Sequence, residues 1–344
     1  MATARQDLRR FILAPETTLG TYTATNGVIL PVAAGYTFND EVESVDLSGA
    51  ADGYVGGLPA VRTRIKRTGE ITTHIYDYIT DAFPPWLLVL LASGWQATYD
   101  TGVYTIVPSN KPITAWPGGT AGTRAPIAVS LTEILLDNAT ADRKRKSVST
   151  TFATKLRFMR GEPMALVSSL LGLVPTSSAD DYTDTDASDI GAISGNQGTQ
   201  PVPWAPSSLS VTWDHDTGTS AAELVGFDGF ELDLAPTHDL LPGAVNGYAM
   251  GQPVFASAGS LTLTSALTRG DDFAVPDRAR ASIDFTVTFG SGATLQVEIP
   301  FAQFLTRTNN NDGGRLMAEY SCRVSRGTFG DSTPPVTITY TPAT

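Results

Sequence analysis

Apolar and polar positions alternate with a period of two along most of the chain, the period of strands that bury one face. Residues 36–47 and 61–78 alternate in this way, the latter with Ile71, Thr73 and Ile75 on one face. Between them lies a Gly-rich stretch, 48–60, with Gly49, Gly53, Gly56 and Gly57, so the pair predicts a long hairpin with a mobile tip. Alternation returns at 99–107, 127–136, 147–158 and 164–173. It resumes at 209–213, 230–234, 260–267, 283–289, 294–299, 317–325 and 336–340. One stretch breaks the period: residues 86–93 are apolar almost throughout, follow Pro84 and Pro85, and precede Gly94. Proline at the start and glycine past the end predict a short helix there, and its all-round apolarity predicts burial.

Two stretches carry no period. Residues 1–26, with Pro15 and Gly20, read as an extended N-terminal arm. Residues 176–206 hold Asp180, Asp181, Asp184, Asp186 and Asp189 among Ser, Thr and Gly and close on Pro201, Pro203 and Pro206, the composition of a linker. The expected organisation is a first module at 27–175 and a second at 207–344. The halves resemble each other. Ile127, Val129 and Leu131 lead toward Asp142 and Arg145 as Val297, Ile299 and Phe301 lead toward Asp312 and Arg315, at a lag of 170 residues. Gly69-Glu70-Ile71-Thr72 is mirrored by Gly259-Ser260-Leu261-Thr262, and Glu41-Val42-Glu43 by Glu231-Leu232-Asp233. Shared order and strand phase predict a duplicated β-module.

Composition sharpens this reading. With 32 Gly and 22 Pro, only 17% charged residues and 344 residues in all, the chain fits two mainly β domains of ordinary size. Its net charge of −12 repels phosphate and anionic lipid, which argues against a conventional nucleic-acid binder. Cys322 is the sole cysteine, so an intrachain disulfide and a multi-thiolate zinc site are excluded. The longest apolar run falls well short of the ~20 residues that cross a bilayer, and the pattern predicts neither a membrane span nor a signal peptide.

Candidate chemistry is sparse. His74, His215 and His238 stand apart, and only Asp214-His215-Asp216 has the form of a raised-pKa base or half a metal site. It lies beside the turn signal Thr217-Gly218-Thr219, and a solvated loop is the favoured reading of it. None of the familiar nucleophile, phosphate-loop, zincin or dinucleotide motifs occurs, so no enzyme, cofactor or metal is expected. Charge placement is more informative. Arg143, Lys144, Arg145 and Lys146, with Lys155, Arg157 and Arg160, make one segment basic, and no Lys or Arg then occurs until Arg269. Segregated signs suit subunits that stack positive face on negative face, which makes residues 143–146 inter-ring candidates, and they suit equally a basic hairpin tip that only keeps the chain in solution. The two acid-x-acid strands put Glu41, Glu43, Glu231 and Asp233 on wet strand faces, either ordinary solvent faces or the wall of an aqueous channel.

Several of these stretches resemble a known family. Glu16-Thr17-Thr18-Leu19-Gly20-Thr21, the Gly-rich hairpin before Gly69-Glu70-Ile71, Leu90-Leu91-Ala92-Ser93-Gly94-Trp95 and Gly161-Glu162-Pro163-Met164 are similar to the major tail tube proteins of long-tailed bacteriophages. So is Ile299-Pro300-Phe301-Ala302-Gln303-Phe304 in the second half. The resemblance implies β-sandwich or barrel modules, each with at most one short flanking helix, assembled into rings that stack as a hollow conduit in the virion. It implies a tape measure protein within, tail terminator and distal tail proteins at the ends, and DNA passing without specific binding. Glu41, Glu43, Glu231 and Asp233 would then line the lumen, and Gly49, Asp52, Gly53, Tyr54, Gly56 and Gly57 would form a ring-stacking hairpin. Two modules per chain predict a homotrimeric ring of pseudo-sixfold symmetry in place of a hexamer. A decoration protein or carbohydrate-binding adhesin, with aromatic platforms at Trp204 and Trp213, is the alternative.

Overall fold

The computed structural model describes residues 9–23, 27–45, 61–77, 84–118, 122–135, 143–159, 162–175, 208–214, 222–223, 227–234, 236–237, 240–245, 248–250, 259–266, 280–312, 315–326 and 332–343. In the first half, β1 (Arg9–Pro15), β2 (Val28–Leu30), β3 (Thr37–Val45) and β4 (Val61–His74) precede α1 (Pro85–Ala92). The strands β5 (Trp95–Asp100), β6 (Val103–Pro108), β7 (Gly122–Arg124), β8 (Val129–Leu135), β9 (Arg143–Met159) and β10 (Ala165–Leu173) follow. The second half holds β11 (Ser208–Asp214), β12 (Ala222–Glu223), β13 (Phe227–Asp233), β14 (Leu240–Val245), β15 (Tyr248–Met250) and β16 (Gly259–Ala266). It ends with β17 (Arg280–Thr288), β18 (Thr294–Asp312), β19 (Arg315–Val324) and β20 (Thr337–Thr341). Eighteen of these strands share one antiparallel network, and β14 and β15 pair with each other. The fold is mainly β, as the alternation predicts.

The helix forms where the sequence places it. Pro85 occupies its first turn, Gly94 with φ 87° ends it, and every residue of it is buried. Ser93 closes its last turn by donating from Oγ to the Val89 carbonyl at 2.7 Å, and it meets Thr154 Oγ1 of β9 at 2.6 Å. Trp86 packs edge-on against Tyr340 at 5.3 Å, so the helix also touches the last strand of the chain.

Part of the expected N-terminal arm is a core strand. Residues 9–15 run between β2 and β8, and Phe11, Ile12, Leu13 and Ala14 are buried. An unbroken apolar run suits a strand covered on both faces and carries no period to betray it. The expected single strand at 99–107 is instead the hairpin of β5 and β6. Thr101 and Gly102 both have positive φ, 47° and 86°, as a two-residue type I′ turn requires. The turn moves the buried positions from odd, Trp95 and Ala97, to even, Tyr104 and Ile106, and a phase shift of one residue in so short a window still reads as one alternating stretch.

Both halves repeat one topology. In the first, the sheet runs β2-β1-β8-β9-β10-β4-β3. In the second it runs β12-β11-β17-β18-β19-β16-β13, each strand in the same chain order as its counterpart. Strands β8, β9 and β10 begin at residues 129, 143 and 165, and β17, β18 and β19 at 280, 294 and 315, a lag of 150 or 151. The lag of 170 is therefore displaced by one strand, since it sets β8 against β18. Neighbouring antiparallel strands share a period of two, so pattern alone slips by a whole strand. The match of Gly69 to Gly259 does fall on counterpart strands, and at both positions a Cβ would strike the neighbouring strand, at Thr37 O and at the Leu234 side chain.

The expected linker, 176–206, lies outside the described residues. Among the described residues the halves are joined by two strand pairings, β9 with β13 and β20 with β6. A single apolar cluster draws on both, with Phe158 5.0 Å from Phe285 and Phe230 5.4 Å from Phe285.

Candidate functional site: a charged sheet face

Cross-strand register assembles one polar face from separate segments. Glu41 stands opposite Lys66, and Thr68 opposite Leu171. From β10 the same face continues through Val167 opposite Lys155, then through Lys155 opposite Asp233 and Arg157 opposite Glu231. It extends over Thr262 and Ser260 to Ser321 and Arg323 of β19. The four predicted acids, Glu41, Glu43, Glu231 and Asp233, thus share one face of a continuous sheet, while Phe230, Leu232 and Phe38 point to the opposite, buried side.

The acids do not stand as bare negative charge. Lys66 Nζ lies 3.0 Å from the Glu41 carboxylate, and Thr68 Oγ1 donates to it at 2.7 Å. The Thr68 hydroxyl, and after it Lys66, holds the Glu41 carboxyl below the usual carboxylate range. Lys155 Nζ sits 3.1 Å from Asp233 and 3.4 Å from Glu231, and the hydrogen bond it donates to Asp233 raises its pKa. Arg157 reaches Glu162 at 3.1 Å. These pairs are solvent-exposed and contribute little to stability, roughly 0.2–1 kcal/mol each. Their effect is to make the face a mosaic of both signs with weak net field. The basic segment of the first half and the acids of the second meet within the chain, across β9 and β13.

Of the four basic candidates, Arg143 and Lys144 lie at the start of β9, opposite Leu135 and Ile134. Arg145 and Lys146 turn inward. The Arg145 guanidinium donates to the Phe38 carbonyl at 2.7 Å, stacks over the Phe38 ring at 4.7 Å and lies 3.5 Å from Asp40 and from Glu133. Lys146 is buried, with its ammonium 4.5 Å from the Tyr22 ring centre. Arg67, fully buried beside them, donates to Asp40 at 2.7 Å and to the Lys146 carbonyl. Burial alone would raise the Asp40 pKa, but Arg67 and Arg145 overcome it and hold the carboxyl low. These contacts tie the β3-β4 hairpin to β9.

Sequence reasoning missed the part played by Glu16. Its carboxylate is fully buried where β9 bends at Ser149, a non-glycine residue with φ 46°. It accepts from Ser149 N at 2.5 Å, Gly20 N at 2.9 Å, Ser130 Oγ at 3.1 Å and Ser149 Oγ at 3.4 Å. The available signal was the turn itself, an acid four residues before a glycine in Glu16-Thr17-Thr18-Leu19-Gly20.

The stacking-hairpin residues Gly49, Asp52, Gly53, Tyr54, Gly56 and Gly57 lie outside the described residues, as do His215, Asp216, His238 and Trp204. Asp214 and Trp213 belong to β11, at its pairing with β17. His74, half-buried at the end of β4, has its pKa lowered by burial. Among the described residues no cluster of three or more His, Cys, Asp or Glu could hold a metal ion, and no helix is long and apolar enough to cross a membrane. No protein-family model and no curated protein matches the chain.

Proposed function

We propose that the chain is the subunit of a hollow tube, a major tail tube protein of a long-tailed bacteriophage, which assembles with copies of itself into stacked rings that conduct a genome. The observation that carries this reading is the continuous sheet face running over both halves, with Glu41, Glu43, Glu231 and Asp233 on it and the apolar core behind it. Duplex DNA adheres to proteins when cations displace its condensed counterions. A face whose lysines are already paired with carboxylates offers DNA few cations to exchange, so the duplex slides. The duplicated topology fits the same role, because two modules with one strand order can occupy neighbouring positions of a ring. Three chains would then supply six modules. Electron microscopy of the purified full chain tests this: rings or tubes with an open lumen are expected, and a monodisperse monomer at high concentration would overturn it.

A further inference from the structure

One histidine stands on the charged face. His74 lies eight residues beyond Lys66 on β4, an even step that keeps it on the same side of the sheet. It stands opposite Ala165 of β10, which is opposite Arg157 of β9, which is opposite Glu231 of β13. Among the described residues it is the only histidine, the side-chain type whose ordinary pKa places its charge change between about pH 5 and 8.

The ring is not locked in place, since its Nδ1 is buried and makes no hydrogen bond. The titratable and charged groups around it are Glu162 just before β10, Arg157 of β9, Glu231 of β13, Glu70 of β4 itself, and Tyr76 and Asp77 just past β4. On the remaining side the bridge from Val32 to Thr73 brings no charge. Tyr76 lies edge-on to the ring at 6.4 Å and stays neutral, because burial raises its pKa above 10. Burial lowers the His74 pKa below 6.5 while the Glu162 charge works against it, so the ring is neutral at pH 7 and takes a proton on mild acidification. Glu162 meanwhile pairs with Arg157 at 3.1 Å, with both side chains about half exposed. An exposed pair is weak, so one charge added beside it shifts its balance.

We propose that His74, Arg157 and Glu162 form a proton-gated site for the phosphate oxyanions of duplex nucleic acid. At neutral pH Glu162 occupies the Arg157 guanidinium, and the three side chains carry no net charge together. On acidification His74 gains a proton and draws on the same carboxylate. The group is then left with one positive charge, and the guanidinium fork opens to two phosphate oxygens. Glu231 does not close it again, because Lys155 already engages that carboxylate at 3.4 Å. Many copies of the site act on one duplex at once, so a single added charge per chain becomes strong retention. The inference deepens the tube reading and rests on it for the duplex as ligand: the wall that lets DNA slide at neutral pH grips it once His74 is charged.

Co-sedimentation of duplex DNA with the full chain, read across pH, tests the site. Wild type is expected to retain several-fold more DNA at about pH 5.5 than at about pH 8, and its logarithmic salt slope should steepen by about 0.9 for each phosphate engaged. His74→Asn, neutral throughout, should retain little DNA at either pH, and so should Arg157→Gln. Glu162→Gln, which leaves the guanidinium unoccupied, should retain it at both. Retention that rises with acid as much in His74→Asn as in wild type would assign the effect to other groups and overturn the proposal, as would a flat wild-type profile. Inorganic phosphate that binds with the same His74 dependence, without DNA retention, would make this a small-anion site and overturn the nucleic-acid assignment. Electron microscopy of the same samples separates the two readings. Tubes whose DNA retention ignores pH would spare the conduit and remove the gate, whereas His74-dependent retention by a chain that forms no tube would keep the gate and remove the conduit.

Discussion

Replacing Glu16 by alanine removes the one carboxylate that holds the bend of β9. Four donors converge on it, two of them backbone N–H groups, those of Ser149 and Gly20. An alanine leaves these donors buried without an acceptor, at about 1–3 kcal/mol for each unsatisfied group. Relief of the buried charge offsets part of that cost, and the expected net loss is about 3–5 kcal/mol at neutral pH. Urea denaturation of wild type and variant measures it. The pH dependence supplies a second test. Burial, the largest influence, raises the Glu16 pKa above 4.5 despite its hydrogen bonds. A raised acid binds its proton more tightly in the folded chain, so its contribution is complete below pH 4.5 and falls as pH rises through the folded value. The gap between wild type and Glu16→Ala therefore widens on acidification. Glu16→Gln keeps the shape but turns an NH2 toward one of the donors, and should fall between the two. A loss below about 1 kcal/mol, or a gap that does not change with pH, would refute the assignment of Glu16 as a buried organising charge.

Other consequences can be measured directly. A Cβ at position 229 would lie 2.5 Å from the Phe158 carbonyl, so Gly229→Val forces β13 from β9 and should cost about 1–3 kcal/mol by urea denaturation. An unchanged midpoint would show that this junction yields freely. Reversing Glu41, Glu43, Glu231 and Asp233 to lysine should leave assembly possible but cause tubes to retain duplex DNA at low salt and release it at high salt. DNA passing the reversed tube as before, in a co-sedimentation assay, would count against a lumenal face. Deleting residues 49–57 should leave a folded chain, by circular dichroism, that no longer polymerises. Normal tubes from that deletion would end the stacking role of the hairpin tip.

The mainly β class, α1 with its prolines and closing glycine, and the β3-β4 hairpin were legible in the sequence because each rests on local rules. Alternation marks a half-buried strand, proline fits a first helical turn, and glycines mark a hairpin tip. The acid-x-acid alternation likewise told which side of β3 and β13 is wet. Other features were decided by the tertiary structure. Residues 9–15 became a core strand because β2 and β8 cover them on both edges, which no local pattern records. The true lag between the halves emerged from strand neighbours, since a period of two cannot distinguish one antiparallel strand from the next. The basic run at 143–146 looked like free surface charge, yet Arg145 and Lys146 are drawn inward by Phe38, Asp40 and Tyr22, partners more than a hundred residues away. Lys155 found Glu231 and Asp233 across the joint between halves for the same reason: a residue's neighbours along the chain fix its local geometry, and the residues that neutralise its charge are chosen by the register of strands that meet only in the folded sheet.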